Sequence, residues 1–176
     1  MKRAHIYVAI ACLCVLLGYM IGGKQPKIVV GFSPNGQAES LVLDAIRGAE
    51  SSIFVAAYTF TSKPIAEALL SAHRRGVSVY LVVDAKSNGQ RYTATTYLAN
   101  HGVLVRLNES YAIMHHKFML IDEKQVQTGS FNYSSAAAIR NAENVLVINE
   151  LYELAEQYLN EWHKLWDEGI PLEPSY

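Results

Sequence analysis

Hydrophobic and polar positions follow two different periods along the chain, and their order predicts an α/β protein. Short runs rich in β-branched and aromatic residues are typical of strands, and they occupy Lys27–Ser33, 51–60, 77–85 and 103–107. Apolar residues at helical spacing lie between these runs, in 37–50 and in segments that end at Arg75 and near Asn100. A turn is predicted at 34–36 and a loop at 87–89. This order predicts a mixed β-sheet flanked by helices in a single domain.

The pattern changes after residue 111. Apolar runs at 113–121 and 125–128 predict two strands joined by a turn at 122–124, which together make a hairpin. Polar and small residues at 132–144 then precede one more predicted strand at 145–149. The last predicted helix, 151–168, carries an apolar stripe at helical spacing, which indicates burial in the core or at an interface.

The N-terminal residues predict a targeting segment. Lys2 and Arg3 precede an uncharged, mostly apolar run of 18 residues, 6–23, which is at the lower limit for crossing a bilayer. We therefore expect 1–23 to be a signal peptide or, less favoured, an N-terminal membrane anchor. Either alternative predicts export, to the periplasm or to the inner membrane facing the periplasm. The catalytic domain is then expected at 27–168.

Charge and cysteine content restrict the sites that the exported domain can form. Both cysteines, Cys12 and Cys14, lie in the leader, so a processed chain can form neither a disulfide nor a cysteine-based zinc site. Loss of Lys2 and Arg3 lowers the basic residues from 15 to 13 against 16 acidic ones, a formal charge of −3. Any site for a polyanion must therefore be a local patch. The sequence predicts neither a metal site nor a cofactor.

The predicted hairpin concentrates polar side chains in an apolar context. Alternate residues of a strand share a face, so His115 and Lys117 are expected to project together and His116 to the opposite side. The same alternation separates Asp122 from His115, which suggests that Asp122 fixes the hairpin or a neighbouring cation. An imidazole beside an ammonium group is suited to nucleophilic attack on a phosphodiester.

Neutral hydrogen-bond donors follow the hairpin. The sequence Gly129-Ser130-Phe131-Asn132 can return a hydroxyl, an amide and free backbone N–H groups to the side of His115, and these groups are phosphate ligands. Glu143 is expected to accept a hydrogen bond from the second imidazole nitrogen. The six positions His115, Lys117, Asp122, Gly129, Ser130 and Asn132 have a fixed spacing. Such a pattern arises by accident in on the order of one in several hundred thousand chains of this size.

These residues resemble a known motif. His115-x-Lys117-x4-Asp122-x6-Gly129-Ser130-x-Asn132 is similar to the HKD motif of the phospholipase D superfamily, within segment 110–136. The chain also resembles the small single-motif bacterial members, the Nuc-type endonucleases, at 32–34, 57–62 and 72–77. The resemblance implies the phospholipase D-like fold. It also implies a phosphohistidine intermediate at His115. The implied catalytic residues are His115, Lys117, Asp122 and Glu143, and the implied phosphate-binding residues are Lys117, Ser130 and Asn132.

The chain carries a single copy of this motif, whereas the reaction needs one histidine to attack and a second to protonate the leaving oxygen. A twofold homodimer would bring His115 and its symmetry mate to the same phosphate. The preferred hypothesis is therefore a metal-independent endonuclease acting on DNA, with RNA as a further substrate, at a site shared by two subunits.

Two alternatives for the substrate and the activity remain. One is a phospholipase D that cleaves phosphatidyl headgroups. Attachment to a membrane through 6–23 would favour this alternative. The other is an inactive envelope protein that binds nucleic acid or lipid. Candidates for a basic rim around a nucleic-acid site are Lys63, Arg91, Arg106 and Arg140.

Overall fold

The computed structural model describes residues 26–88 and 93–175. The predicted leader at 1–23 and the rim candidate Arg91 lie outside these residues. Within the described ranges, no helix combines the length and the apolar character needed to cross a membrane.

The predicted strands and helices occur in the predicted order, with two short helices and a short last strand in addition. The strands are β1 (Lys27–Ser33), β2 (Ser52–Ala57), β3 (Ser78–Asp84), β4 (Leu104–Asn108), β5 (Lys117–Ile121), β6 (Gln125–Gly129), β7 (Glu143–Asn149) and β8 (Ile170–Pro171). The helices are α1 (Gln37–Arg47), α2 (Lys63–Arg74), α3 (Ala85–Asn88), α4 (Ala94–Asn100), α5 (Ser135–Ile139) and α6 (Tyr152–Glu168).

Side-chain caps start several of these helices where the sequence offers a hydroxyl. Ser62 Oγ accepts a hydrogen bond from Ile65 N at the start of α2, and Pro64 occupies the first turn. Thr93 caps α4 in the same way, and Ser134 caps α5 through a 3.2 Å bond from Ala137 N. These caps fix the points at which the chain leaves each preceding strand or loop.

The strands form one mixed sheet in the order β1-β7-β6-β5-β2-β3-β4-β8. The pairs β2–β3 and β3–β4 are parallel, whereas β5, β6 and β7 pair antiparallel with their neighbours. The carboxyl ends of β2, β3, β4 and β6 therefore meet the amino ends of β5 and β7 at one edge of the sheet. We call this edge the catalytic edge, because it carries the motif residues described below.

Helices cover both faces of the sheet. The larger core lies under α1 and α2, with Val42, Ile46, Ile65 and Leu69 fully buried. On the other face, α6 packs on the central strands, and Trp162 donates a 2.9 Å hydrogen bond from Nε1 to the carbonyl of Val55. The amphipathic stripe predicted for this helix is therefore part of the core.

The fold is the predicted mixed sheet, but some local predictions are wrong. Residues 113–116 are irregular and not part of a strand, because Met114 N bonds to the Asp84 side chain and no ladder forms there. The predicted loop at 87–89 contains the end of α3, and the polar stretch 132–144 contains α5. The two-residue strand β8 was not predicted, since it pairs only with Arg106 and Leu107 of β4.

Candidate active site

The predicted site residues other than Asp122 converge on the catalytic edge, on or next to three adjacent strands. Lys117 opens β5 and pairs with Ala57 at the end of β2. Gly129 closes β6 and lies opposite Val145 of β7, two residues beyond Glu143. Ser130 and Asn132 follow Gly129 directly. The sheet register thus gathers residues that are up to 26 positions apart in the sequence.

His115 lies on the irregular segment that precedes β5, with its side chain exposed. Its ring contacts the ring of Tyr58 at a centroid distance of 4.5 Å and makes no hydrogen bond within the described ranges. Partial burial lowers the pKa of His115, and the nearby ammonium of Lys117 lowers it further, while Asp84 acts in the opposite direction. The imidazole is thus held towards its neutral form, which is the nucleophilic one.

Lys117 is buried beside this histidine, with 8% of its surface exposed. Its Nζ donates a 2.6 Å hydrogen bond to the carbonyl of His115 and lies 5.1 Å from the centre of the Tyr58 ring. Burial lowers the pKa of Lys117, and the carboxylate of Glu143 partly opposes this effect. Lys117 therefore places a cation beside the imidazole, as the sequence predicted.

Ser130 and Glu143 form a hydrogen-bonded pair at this edge. Ser130 Oγ donates to Glu143 Oε2 at 2.6 Å and accepts from the backbone N–H of Asn144 at 3.1 Å. Asn141 donates a further bond to Glu143 Oε1. The predicted bond between His115 and Glu143 is not formed in this single chain. Glu143 instead orients the Ser130 hydroxyl and lies near enough to Lys117 to influence its charge.

Asn132 brings an uncommitted polar side chain to the same place. Its Oδ1 is buried without a hydrogen-bond partner in the described structure, and its side-chain amide makes no other hydrogen bond there. An unpaired buried acceptor costs about 1–3 kcal/mol, so the Asn132 side chain is not held by the protein around it. Its amide donor is therefore free for a substrate oxygen.

Gly129 determines the direction in which this loop leaves the sheet. Its φ is +150°, and a Cβ atom would lie 2.2 Å from the carbonyl oxygen of Asn144. Because only glycine fits so close to the next strand, Ser130 can take its hydrogen bonds from Asn144 and give one to Glu143.

Asp122 lies at the opposite end of β5 from Lys117. Its carboxylate accepts hydrogen bonds from the backbone N–H groups of Glu50, Ser51 and Ser52 and from the Ser51 hydroxyl. Burial alone would raise the pKa of Asp122, but these bonds, chiefly those from Ser51 and Ser52, outweigh burial and lower it. Asp122 anchors the hairpin to the start of β2 and does not join the other motif residues.

The structure adds residues that the sequence did not assign to the site. Tyr58 touches both His115 and Lys117, and the buried Asp84 lies close enough to influence His115. Each follows or ends an apolar strand, β2 or β3, and polar residues at the ends of neighbouring strands are a usable sequence signal. His116 lies on the α6 side, with its Nε2 3.4 Å from Glu161. Since His115 and His116 line the same depression there, the predicted opposite projection of the two side chains is not confirmed.

A depression of about 310 Å³ adjoins His115 on the α6 side. Its lining joins the motif to the helix: His115, His116, Lys117, Phe118, Thr128, Gly129, Gln157, Tyr158 and Glu161. Within residues 26–88 and 93–175, no group of three His, Cys, Asp or Glu side chains could hold a metal ion.

The chain is similar to known proteins in both sequence and fold. The family model described as "Cardiolipin synthase, PLD-like domain" matches residues 42–166. Nuc, a phospholipase D family member from Salmonella typhimurium, has 40% sequence identity to this chain. Its crystal structure superposes with a TM-score of 0.82, and the match covers 85% of this chain and 99% of Nuc.

Curated relatives carry lipid-related names. A phospholipase D of Rickettsia conorii is 37% identical over 139 residues, which cover 79% of this chain and 69% of the relative. The mitochondrial cardiolipin hydrolase of Mus musculus is 31% identical over an alignment of 201 residues, which covers 98% of this chain and 90% of the relative. The family model spans well over half of the chain and all of its motif, and the chain belongs to the phospholipase D superfamily, as a phosphodiesterase of the hydrolase class.

Proposed function

We propose that this phosphodiesterase is a metal-independent endonuclease that hydrolyses DNA, and RNA as a further substrate, with little sequence preference. The observation that carries the proposal is the exposed His115 ring, which lies beside the buried ammonium of Lys117 and has no hydrogen-bond partner in the described residues. An uncommitted, mostly neutral imidazole next to a cation is suited to attack on a phosphodiester anion.

The reaction proceeds in two displacements on phosphorus. A ring nitrogen of His115 forms the N–P bond while the bond to the leaving oxygen breaks, and a second imidazole gives its proton to that oxygen. The second imidazole then takes a proton from water, whose oxygen attacks phosphorus and releases His115. Lys117 and the Asn132 amide stabilise the charge on the pentacoordinate phosphorus, and the Ser130 hydroxyl joins them when its O–H turns from Glu143 to a phosphate oxygen.

A second copy of the chain supplies the other imidazole. An apolar surface made by Ile28, Val30 and Phe32 of β1 and by Leu146 and Ile148 of β7 lies on the side of the sheet that carries α6, next to the strands that α6 covers; we call it the β1–β7 surface. More than half of each of its three β1 side chains is exposed, which is unusual for neighbouring apolar residues on a monomer.

The β1–β7 surface also adjoins the site. Phe32 pairs with Asn144, and Asn144 donates a hydrogen bond to Ser130. A twofold contact through this surface therefore carries the catalytic edges of two subunits towards each other. The proposal assigns the surface to a homodimer in which both copies of His115 serve one phosphate.

Nucleic acid is the preferred substrate because the chain resembles the Nuc-type endonucleases over nearly the full length of Nuc itself. The described rim candidates differ in their availability. Lys63 lies 3.6 Å from Glu67 and Arg106 donates to the carbonyl of Trp166, whereas Arg140 is exposed at the end of α5. Contacts between such cations and the phosphate backbone of a nucleic acid carry no sequence information, which is consistent with little sequence preference.

Phospholipid is the second candidate substrate, and the names of the Rickettsia and mouse relatives favour it. The test compares the purified domain on circular plasmid DNA, on RNA and on phosphatidylcholine or cardiolipin vesicles, each with and without EDTA. Nicked and linear plasmid in both conditions, lost in His115→Ala, supports the proposal. Cleaved lipid with intact plasmid overturns the nuclease assignment and leaves the superfamily assignment standing.

A further inference from the structure

The carboxyl end of β3 holds two buried polar side chains outside the motif. Asp84 is 2% exposed and Asn88, at the end of α3, is 1% exposed. Buried groups of this kind are expensive unless they are fully hydrogen-bonded. Their hydrogen-bond partners are the two segments that carry His115 and Tyr58.

Asp84 and Lys86 hold the segment that precedes β5. Asp84 Oδ2 accepts a 2.9 Å hydrogen bond from the backbone N–H of Met114, and Oδ1 accepts one from Ser87 N. Lys86 Nζ donates to the carbonyl of Ala112 at 3.0 Å. Because residues 113–116 have no strand ladder of their own, these bonds replace it on the amino-terminal side of His115.

Asn88 holds the segment that follows β2. Its Nδ2 donates to the carbonyl of Tyr58 at 2.5 Å and to the carbonyl of Asp84, while its Oδ1 accepts from Phe60 N at 2.8 Å. The amide thus fixes the backbone on both sides of residue 59 and ties it to the end of β3.

We propose that Asp84 and Asn88 are positioning residues, which fix the His115 imidazole against Tyr58 in the geometry needed for attack. The inference rests on the proposed role of His115 as nucleophile. The contact between the two rings joins the segment after β2 to the segment before β5, and Tyr58 N donates a 2.8 Å hydrogen bond to the carbonyl of His116 between them. Both segments are in addition anchored to the end of β3 and to α3, and these anchors fix the positions of the two rings beyond the end of the ladder.

The test measures kcat and KM for bis(p-nitrophenyl) phosphate with Asp84→Asn and Asn88→Ala. The control is Asn108→Ala, since Asn108 is an equally buried amide at the end of the neighbouring strand, but it binds α6 through the carbonyl of Leu165. Loss of ring position lowers kcat by about tenfold or more with little change in KM. Asn108→Ala loses thermal stability to a similar extent and keeps the kcat of the folded protein.

A second readout reports the ring itself. In Asp84→Asn the nearby negative charge is removed, while Lys117 and His116 still lower the pKa of His115, so the NMR titration midpoint of this ring falls. Should Asn88→Ala fail to fold, the near-isosteric Asp84→Asn decides by both readouts.

The outcomes separate the two levels of the proposal. If His115→Ala keeps the wild-type rate, the proposed function fails. If His115→Ala is inactive while Asp84→Asn and folded Asn88→Ala keep the wild-type kcat and titration midpoint, the positioning role alone is overturned.

Discussion

The charge state of His115 depends on its partial burial and on the neighbouring cation of Lys117. Partial burial and the ammonium of Lys117 both lower the pKa of His115 from its usual value near 6.5. Because the neutral ring attacks, the acid limb of the rate profile lies at the pKa of His115, and activity persists to lower pH than an ordinary histidine would allow. In Lys117→Met we expect the pKa of His115 to rise, so that the NMR midpoint and the limb of the residual activity move to higher pH.

The control for this experiment is Lys124→Met. Lys124 is a partly exposed lysine that pairs loosely with Asp122, at 3.9 Å, at the opposite end of the hairpin. Its loss leaves the His115 midpoint unchanged. A midpoint in Lys117→Met at or below the wild-type value would show that the cation does not act on the ring.

A substitution at Gly129 tests how closely β6 and β7 approach each other beside the site. In Gly129→Ala the new Cβ meets the carbonyl of Asn144 at 2.2 Å, so β6 or β7 must shift and Ser130 moves away from Glu143. We expect a loss of about 2–4 kcal/mol in the free energy of unfolding by urea titration, with activity lost in the folded fraction. Gly76→Ala, where φ is +94° and no atom lies within 4 Å, costs only about 1–2 kcal/mol. Equal costs at the two positions would argue against a clash at Gly129.

At the scale of elements, Asp122 joins the β5–β6 hairpin to the segment before β2. We expect Asp122→Asn to lower the free energy of unfolding at pH 7 by about 2–3 kcal/mol, because one charged acceptor of several N–H bonds is lost. The pKa of Asp122 is lowered in the folded state, so its contribution is present above pH ~4 and lost as the pH falls through the folded-state value.

The difference in urea midpoint between wild type and Asp122→Asn should therefore narrow below pH ~4. The kcat of the folded variant should stay within about twofold of the wild type, since Asp122 lies away from His115. A large kcat loss in a fully folded variant would return Asp122 to the catalytic set.

Strands and helices with an apolar pattern over many residues were predictable from the sequence. The site was predictable only in part. The expected neighbourhood of Lys117 and His115 is found, but strand alternation is not its cause, because His115 and His116 lie on the irregular segment before β5. The irregular segment before β5 was not predictable, since it depends on the bond from Met114 to Asp84, 30 residues away. The pairing of Glu143 with Ser130 follows from the β6–β7 register and likewise has no signal in spacing alone.

At the scale of the whole molecule, the proposed mechanism requires two chains. Val30→Glu places a charge at the centre of the β1–β7 surface, where the wild-type side chain is 52% exposed. We expect this variant to sediment as a monomer and to lose about 100-fold or more of its activity, which is the contribution of a general acid. Leu104→Glu, at a side chain 57% exposed on β4, is the matched control and should remain dimeric and active.

Mixed dimers show whether the two subunits share one site. When wild-type and His115→Ala chains are unfolded together in equal amounts and refolded, about a quarter of the dimers carry two copies of His115. A shared site that needs both imidazoles leaves about a quarter of the wild-type activity, whereas two independent sites leave about half. Activity near one half, or an active Val30→Glu monomer, would contradict the shared site, because a single imidazole would then perform both the attack and the protonation of the leaving oxygen.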